Sequence, residues 1–427
     1  MSSPSIASYA TDCCIVGGGP AGLMLGYLLA RAGVSVTVLE KHDDFLRDFR
    51  GDTIHPSTLE LMHQLGLLDD LLTLPHQRAE NLWAEIAGRN VMLADFSRLP
   101  TRCKFIAFMP QWEFLTFLAE RAAAFPHFTL IKSARVTELR YEQGRACGVL
   151  AETPEGPIDV SCQLVVGADG RGSVVREKAE LSSRSFGMPR DLLWMKLTKR
   201  PGDPQWSMGH TGPRRNFIMI DRGDYWQCGY AIEKGSFDAI RENGLEKFLL
   251  QVAEVAPFQD DRFQEIAGWQ QVKLLSIRID RLEQWAKPGV LCIGDAAHAM
   301  SPIGGVGVNL AIQDAVAAAN AVSLPLRQRR LQLKHLRRVQ RRRDFPTKAT
   351  QFLQIKMSQR RTKKRRAAGS SGLMSWLSRR RWLPRAGGAH HRPRVSSRNA
   401  AWVLAASGLP RGGGIDTRAS PHVVVRG

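Results

Sequence analysis

The feature that most constrains the fold is residues 13–22, CCIVGGGPAG, where a short apolar run meets three consecutive glycines. In a strand–turn–helix unit with the pattern G-x-G-x-x-G, the first glycine permits a tight turn. The second lets a pyrophosphate approach the backbone, and the third lets the helix pack closely on the strand. Gly17, Gly19 and Gly22 occupy these positions. The segment therefore predicts a Rossmann-like dinucleotide site.

The next apolar run supports this prediction. Residues 35–39, SVTVL, are typical of a second strand, and Glu40 follows them eighteen residues after Gly22. An acidic residue near this spacing accepts hydrogen bonds from the ribose hydroxyls of an adenosine cofactor. Because strand, glycines, helix, second strand and acid occur in register, we expect Glu40 to bind a cofactor. A glycine-rich turn without a ligand is the less favoured interpretation.

Two later segments also have an apolar run that ends at a carboxylate. Residues 164–170, LVVGADG, place Asp169 after a predicted strand, and residues 289–295, GVLCIGD, do the same for Asp295. An Asp-Gly pair after a strand is common in ordinary turns, so the first of these segments is ambiguous when taken alone.

The second of these carboxylates is followed by a glycine-rich turn, SPIGGVGVN, that opens a predicted helix. The first turn of a helix has unpaired N–H groups and the positive end of the helix dipole. Such a turn can face an electron-rich ligand. We expect the residues that face it to be Pro302, Gly305, Gly307 and Asn309.

In this order, the three motifs resemble those of the single-component aromatic monooxygenases, flavoprotein hydroxylases related to para-hydroxybenzoate hydroxylase and to the ubiquinone-pathway hydroxylases. The resemblance covers residues 10 to about 355. In that family, the first motif holds the adenosine end of FAD. The Asp-Gly motif lies near both the flavin and the reduced nicotinamide, and the Gly-Asp motif binds the ribityl chain. The resemblance therefore implies FAD as the cofactor, with Asp169 and Asp295 in the second and third roles.

Two further segments carry the resemblance. Arg50, in RGDTIHPSTLELM, looks like the family's arginine that meets the cofactor, and Gln111 looks like its FAD-contacting glutamine. Since no second G-x-G-x-x-G pattern occurs, the resemblance implies that NADPH or NADH visits transiently as the electron donor. It also implies hydroxylation of an aromatic or other apolar small molecule with molecular oxygen, through a flavin hydroperoxide.

Other functions remain open at this point. A flavin reductase or dehydrogenase without oxygen insertion is the alternative within the flavoenzymes, whereas a NAD-dependent dehydrogenase would leave the two later motifs unexplained. No residue is predicted to be catalytic: His298 is a titratable group beside the third motif, and His55, Asp52 and Tyr225 are less favoured candidates for substrate-side groups. For His298 we expect local packing or hydrogen bonding.

The net charge of +20 invites a nucleic-acid or membrane-surface function. Of the 60 Lys and Arg residues, 27 lie from residue 325 onward with two of the 40 acids, so this segment carries +25 and the preceding residues −5. The basic character is therefore confined to the last quarter of the chain, and no specific nucleic-acid partner is expected for the rest.

Residues 361–427 combine like charge with little apolar periodicity, which predicts disorder. Three interpretations of this tail stay open: a solvated segment without a role, a segment that binds anionic polymers or lipid head groups, and the translation of a displaced reading frame.

We expect an α/β fold in four segments. Residues 8–180 and 286–360 would form a discontinuous Rossmann-like FAD-binding domain, and 181–285 an inserted, mostly antiparallel substrate domain. The second part of the FAD-binding domain would include late helices with scattered apolar anchors: Leu331, Leu333, Leu336, Val339, Phe345, Phe352 and Leu353. The fourth is the tail, 361–427. The seven cysteines form no C-x-x-C pair, so neither a metal site nor a disulfide framework is expected. With no signal peptide or membrane span apparent, we expect a cytoplasmic enzyme.

Overall fold

The computed structural model describes residues 6–46, 53–86, 89–203, 208–211, 216–257 and 261–367. Arg50 and Asp52 lie outside these ranges, as do residues 368–427, so neither the predicted contact of Arg50 nor the predicted disorder of most of the tail is addressed by the structure.

The strands, in chain order, are β1 (Ala7–Ala10), β2 (Cys13–Val16), β3 (Val36–Leu39), β4 (Thr53–Ile54), β5 (Gln77–Ala79), β6 (Asn81–Ile86), β7 (Arg89–Asp95), β8 (Ile106–Phe108), β9 (Phe128–Ile131), β10 (Arg135–Glu142), β11 (Arg145–Thr153), β12 (Gly156–Ser161), β13 (Leu164–Gly167), β14 (Ser183–Ser185), β15 (Arg190–Thr198), β16 (Met208–Thr211), β17 (Asn216–Asp221), β18 (Tyr225–Glu233), β19 (Lys273–Leu275), β20 (Asp280–Leu282), β21 (Ala286–Lys287) and β22 (Val290–Cys292).

The helices are α1 (Pro20–Arg31), α2 (Pro56–Leu65), α3 (Leu68–Leu71), α4 (Gln111–Ala123), α5 (Val174–Lys178), α6 (Phe237–Glu242), α7 (Leu245–Ala253), α8 (Gly307–Arg327) and α9 (Leu333–Ala367). Short 3-10 turns occupy Asp261–Glu265, Trp269–Gln271, Gly294–Ala296 and Ile303–Gly305. The chain is thus a mixed α/β protein, as the sequence predicts.

A six-stranded sheet, in the order β21-β22-β13-β2-β3-β9, forms the centre of the molecule. All its pairings are parallel except that of β21 with β22. The strands β2, β3, β13 and β22 are buried along their whole length, as expected for parallel strands covered on both faces. Gly167 pairs with both Val16 and Cys292, so the three motif strands end at one edge of the sheet.

A seven-stranded sheet has the order β19-β15-β18-β17-β16-β6-β7. From β19 to β16 its pairings are antiparallel, as predicted for this region, whereas β16 pairs with β6 in parallel. One face carries Phe217 and Trp226, which form a core with Phe248 of α7. Residues 81–95 supply β6 and β7, a contribution from the amino-terminal part of the chain that the sequence did not predict.

Three smaller sheets complete the fold. Their orders are β1-β12-β11-β10, β4-β8-β5 and β14-β20. The second of them brings Thr53 opposite Phe108, three residues before Gln111. It therefore places Thr53 and Ile54 of the predicted arginine segment close to the start of α4.

The last described helix, α9, differs from the prediction in two respects. It continues to Ala367, past the expected start of the tail at residue 361. Leu336 and Val339 are buried anchors, but Phe345 and Phe352, expected to be anchors too, are 75% and 58% exposed. Within the ranges given above, no helix is long and apolar enough to span a bilayer and no group of His, Cys, Asp and Glu could hold a metal ion.

Candidate functional site

The first two motif turns are in direct contact. Gly17 has φ +104°, and a Cβ built on it would lie 2.5 Å from the carbonyl oxygen of Ala168. A Cβ on Gly22 would lie 1.9 Å from the carbonyl oxygen of Gly17. Both positions therefore require glycine, because a side chain would overlap backbone atoms. The turn after β2, the turn after β13 and the start of α1 are packed against one another without room for a methyl group.

The middle glycine has different surroundings. Gly19 precedes α1, and among the described residues the atom nearest to its Cβ position is Ala168 O at 4.0 Å. No side chain caps this helix, and Pro20 occupies its first position. The unpaired N–H groups of the first turn therefore adjoin open space, which is the arrangement that binds phosphate.

Glu40 lies beside the same turn and is almost fully buried, with 8% exposed. Its Oε2 accepts a hydrogen bond from Gly18 N at 2.7 Å, and its Oε1 accepts one from His42 N at 3.2 Å. The acid at the end of β3 is thus fixed against the glycine turn, at the position predicted for a ribose-binding carboxylate.

Asp169 follows β13 with one oxygen bonded and one not. Oδ2 accepts a hydrogen bond from Val175 N at 3.3 Å, whereas Oδ1 is buried without a hydrogen-bond partner among the described residues. Burial raises the pKa of Asp169 above its usual value, although hydrogen bonds from Ser173 and backbone N–H groups oppose the shift. A buried acceptor without a donor is costly, so this atom marks a position that a donor on a ligand can satisfy.

Asp295 is held by a residue of the second motif. Nε of Arg171 lies 3.2 Å from Oδ2 of Asp295, and the two side chains are 29% and 35% exposed. The other guanidinium nitrogens of Arg171 donate to the carbonyl oxygens of Ser276 and Met300 at 3.2 and 3.3 Å. Arg171 thereby connects the second motif, the third motif and the segment before β20. The sequence reasoning did not single it out.

The loop between Asp295 and α8 is bound to the segment around β4. Gly305 has φ +61°, and its carbonyl oxygen accepts a hydrogen bond from Thr53 Oγ1 at 2.7 Å. Pro302 precedes the short turn Ile303–Gly305, and α8 begins at Gly307 without a capping side chain. The N–H groups of its first turn are therefore available, as at α1.

Asn309 was predicted to face the ligand, but its side chain is bonded inside the protein. Nδ2 donates to Thr53 O at 2.9 Å and Gly305 O at 3.2 Å, and Oδ1 accepts from His55 N at 2.8 Å and Thr58 Oγ1 at 2.7 Å. The amide therefore joins α8 to β4 and α2, and the main-chain N–H is the group of Asn309 left to face a ligand.

Gln111 is the first residue of α4 and is 9% exposed. Its side-chain amide has no hydrogen-bond partner within the described part of the chain. A nearly buried amide is expected to find partners, so this one is free to bond a ligand.

These groups fit FAD. Two uncapped helix starts can receive a phosphate and an electron-rich ring, Glu40 can accept from ribose hydroxyls, and the free Oδ1 of Asp169 can accept a further hydrogen bond. All of them lie at the carboxyl edge of the parallel sheet, where ligands of open α/β sheets bind.

Comparison with known proteins decides the family. The model of a family described as "FAD binding domain" matches residues 10–353. The chain belongs to this family. A curated relative, 6-methylpretetramide 4-monooxygenase of Streptomyces rimosus, is 34% identical over 350 residues, which are 82% of this chain and 84% of that protein.

Two other relatives are similar over shorter shares of their length. Dialkyldecalin synthase of Streptomyces rugosporus is 29% identical over 315 residues, 71% of this chain and 63% of that protein. The solved structure of OxyS anhydrotetracycline hydroxylase from Streptomyces rimosus has a TM-score of 0.70 and 23% identity, covering 93% of this chain and 76% of that chain. The chain is an FAD-dependent monooxygenase.

His298 of this flavoenzyme lies in a buried ionic network. Its Nε2 is 2.5 Å from Oδ2 of Asp314, which also accepts a hydrogen bond from Gly294 N, and Nε of Arg343 donates to Oδ1 of Asp314 at 2.7 Å. Burial alone would raise the pKa of Asp314, but His298 and Arg343 outweigh it and the pKa is lowered. With 1% of its surface exposed, His298 has the local bonding role expected from the sequence.

His55, the residue before α2, is also buried, with 3% exposed. Its Nε2 has no partner among the described residues. Burial lowers the pKa of His55 to about 4, partly opposed by a hydrogen bond to the backbone of Gly304, so the ring is neutral at pH 7. The other titratable group considered, Tyr225, is the first residue of β18, and Nζ of Lys196 lies 4.0 Å from the centroid of its ring.

Two glutamines of α9 form hydrogen bonds to the loop of the flavoenzyme that follows Asp295. Gln354 accepts from Ser301 N at 3.1 Å and donates to Ser301 O and Ile303 O, both at 2.9 Å. Gln351 donates to Ala299 O at 3.0 Å and Asp280 O at 2.8 Å. The sequence reasoning missed both residues. The buried face of α9 also carries Thr347, Thr350 and Ser358 in this region, so no apolar periodicity marks it in the sequence.

Proposed function

We propose that this monooxygenase hydroxylates a polycyclic aromatic small molecule, using molecular oxygen and electrons from NADPH or NADH. The observation that carries the proposal is the convergence of three motifs at one sheet edge, where Gly17 packs on Ala168 and Arg171 bonds Asp295. The class of substrate is supported by the names of the relatives, which act on 6-methylpretetramide and anhydrotetracycline.

The domain arrangement that we propose is discontinuous. Residues 8–180 and 286–360 would form the FAD-binding domain, since β22 lies beside β13 in the central sheet. Residues 181–285 would form the inserted substrate domain, which carries most of the seven-stranded sheet. We assign β6 and β7 to that sheet as well, because β6 pairs with β16.

The amino-terminal half of the site would bind the adenosine part of FAD. The start of α1 at Gly19 would receive the pyrophosphate, and Glu40 would accept from the ribose hydroxyls. Gly17 and Gly22 serve this indirectly, by keeping the turn close to the sheet. Arg50, by resemblance, would contribute a cationic contact.

The second half would bind the flavin end. Asp295, oriented by Arg171, would accept from ribityl hydroxyls, while Gln111 and Asp169 would bond the cofactor from two other elements. The bound FAD supplies the electron transfer and the activation of oxygen. The chain supplies position, polarity and the exclusion of water.

The start of α8 would lie at the electron-rich end of the flavin ring. Gly307 leaves open space beside the N–H groups of this helix start, whereas the missing side chain of Gly305 makes room for Thr53, and the helix dipole adds positive potential. Negative charge that develops there is stabilised by dipoles already in place. Pro302 would border the reacting face, held from behind by Gln354.

The seven-stranded sheet offers an apolar wall for the substrate. Leu192 and Trp194 project to the face opposite the α7 core and cluster with Ile277 and Ile279. The carbonyl of Ser276, next to this cluster, accepts from Arg171, so the wall adjoins the motif that holds Asp295. Apolar walls with few polar groups are typical of small-molecule sites.

A substrate screen tests the proposal. Purified FAD-loaded enzyme would be supplied with NADPH or NADH and a panel of polycyclic phenols under labelled oxygen gas. We expect accelerated nicotinamide oxidation and a product that contains one labelled oxygen atom. Oxidation that yields hydrogen peroxide alone with every compound would favour a reductase, and an isomerised product without label would favour a synthase such as the dialkyldecalin relative.

A further inference from the structure

The long helix α9 has two opposite faces. Leu336, Val339, Thr347 and Gln354 mark the buried face, which packs on the rest of the protein. The opposite face, which we call the exposed stripe, consists of six residues, all exposed: Arg338, Arg341, Phe345, Lys348, Phe352 and Lys356. At 3.6 residues per turn they fall within an arc of about 80° and extend for about 27 Å along the helix.

The composition of the stripe is unusual for a surface that faces only water. Phe345 and Phe352 are 75% and 58% exposed, and each has cations within one turn on either side. Nζ of Lys356 lies 5.3 Å from the ring centroid of Phe352, and Lys348 pairs with Asp344 one turn earlier. Arg338 and Arg341 form no ion pair with any residue the structure describes. Positive charge and apolar rings are thus presented together.

The distribution of charge along the sequence also makes the part that contains α9 the basic part of the chain. Residues 325–427 carry +25 and the preceding part −5. Beyond the stripe, the sequence of α9 continues with QRRTKKRRA to Ala367, so the positive character extends to the end of the helix. An anionic surface would therefore attract the α9 segment more strongly than the rest of the chain.

We propose that the exposed stripe docks on an anionic phospholipid bilayer. A bilayer satisfies both components of the stripe at once: phosphate head groups neutralise the cations, and the boundary of the acyl chains takes up the two rings. An acidic peptide would leave the rings in water. Along the axis the rings are about 10 Å apart, much more than the spacing of about 3.4 Å between bases along one strand, so consecutive bases would not reach both of them.

The test uses the full-length, FAD-loaded protein and cosedimentation with lipid vesicles. One set of vesicles contains phosphatidylcholine alone, and the other contains phosphatidylcholine and phosphatidylglycerol in a ratio of about three to one. Two double variants remove one component each: Phe345→Ser with Phe352→Ser, and Arg338→Glu with Arg341→Glu. The matched control, Lys247→Glu with Leu250→Ser, changes an exposed cation and an exposed apolar residue on α7.

We expect binding to the anionic vesicles that weakens as salt rises, because screening shortens the reach of the charges. Each unit of positive charge removed should reduce the partition coefficient about fivefold, with two units for each Arg→Glu change, and the loss of the two rings should reduce it roughly tenfold or more. The α7 control should bind as the wild type does. FAD content and melting temperature should not change in any variant, because the substituted side chains are exposed.

Three results would overturn the proposal. The first is no binding of the wild type to anionic vesicles, and the second is wild-type binding by both stripe variants, which would assign the affinity to the residues after 367. The third is stronger binding to single-stranded DNA than to anionic vesicles, lost with Phe345 and Phe352, which would assign the stripe to nucleic acid instead.

Discussion

Nε of Arg171 and Oδ2 of Asp295 lie 3.2 Å apart, although the two residues are separated by 124 positions in the chain. This pair joins the Asp-Gly and Gly-Asp motifs into one site and fixes the carboxylate that we assign to the ribityl chain. Since Arg171 also donates to Ser276 O and Met300 O, removing its side chain breaks three hydrogen bonds at once.

Arg171→Ala should therefore weaken FAD binding. We expect the dissociation constant to rise about tenfold, because a hydrogen bond between charged groups contributes about 1.5–3 kcal/mol and this pair is partly exposed. Fluorescence titration of the apoprotein with FAD measures it. Arg140→Ala, which breaks a comparable pair with Asp159 in the four-stranded sheet, is the matched control. Equal losses in both variants would remove Arg171 from the site.

Substitutions at the motif glycines should distinguish a role in packing from a role in ligand binding. A Cβ at Gly22 would overlap Gly17 O, whereas one at Gly19 meets no protein atom closer than 4.0 Å. Gly22→Ala should lower the melting temperature of the apoprotein, with a cost of about 2–4 kcal/mol. Gly19→Ala should leave that temperature unchanged but weaken FAD binding. An apoprotein destabilised equally by both changes would contradict the proposed phosphate position.

Much of this site follows from local sequence. The strand, glycine and acid spacings predict β2, α1, β13 and the start of α8, because each motif lies in one short continuous segment, the longest running from Cys13 to Glu40. The pairing of Arg171 with Asp295 and of β6 with β16 depends on tertiary contacts, which no local spacing encodes. These contacts form only when separate elements meet.

The prediction for α9 shows another limit. Phe345 and Phe352 were expected to be packed anchors like Leu336 and Val339, but at this level of the helix the buried face carries Gln351 and Gln354. The loop carbonyls of residues 299–303 need donors once they are buried, and the glutamine amides supply them. Hydrogen bonds to the buried loop therefore favour this orientation of the helix, together with the burial of Leu336 and Val339.

Gln354 should accordingly matter for stability. Gln354→Leu removes two donors and one acceptor from the loop at Ser301 and Ile303, leaving buried polar groups unpaired. We expect the free energy of unfolding to fall by about 2–4 kcal/mol, as measured by urea denaturation. Phe352→Leu, on the exposed stripe of the same helix, is the control. Equal stability of the two variants would show that the loop does not depend on Gln354.

His55 should make the stability depend on pH. Burial lowers its folded-state pKa from 6.5 to about 4, so between these values the unfolded chain binds the proton more strongly than the folded protein. Its contribution to stability is therefore intact above about pH 6.5 and is lost as the pH falls toward 4, by about 3 kcal/mol in total. Urea denaturation at pH 7, 5.5 and 4.5 measures it. His55→Gln should flatten this part of the profile, and an unchanged profile would exclude His55 as the cause.

His298 is the residue beside the cofactor motif that most invites a catalytic role, and its contacts argue against one. Its Nε2 is hydrogen-bonded to Asp314. That carboxylate is fully buried and also accepts hydrogen bonds from Nε of Arg343 and from Gly294 N. Removing the imidazole weakens the support of a buried carboxylate, so His298→Asn should lower the free energy of unfolding by about 2–4 kcal/mol. Because no proton transfer is assigned to it, kcat for nicotinamide oxidation with bound substrate should stay within about threefold of wild type.

Asp314→Asn, which leaves the guanidinium of Arg343 without its partner, should cost more stability than His298→Asn. A loss of kcat of a hundredfold or more in His298→Asn, with unfolding unchanged, would instead make this histidine a participant in the chemistry.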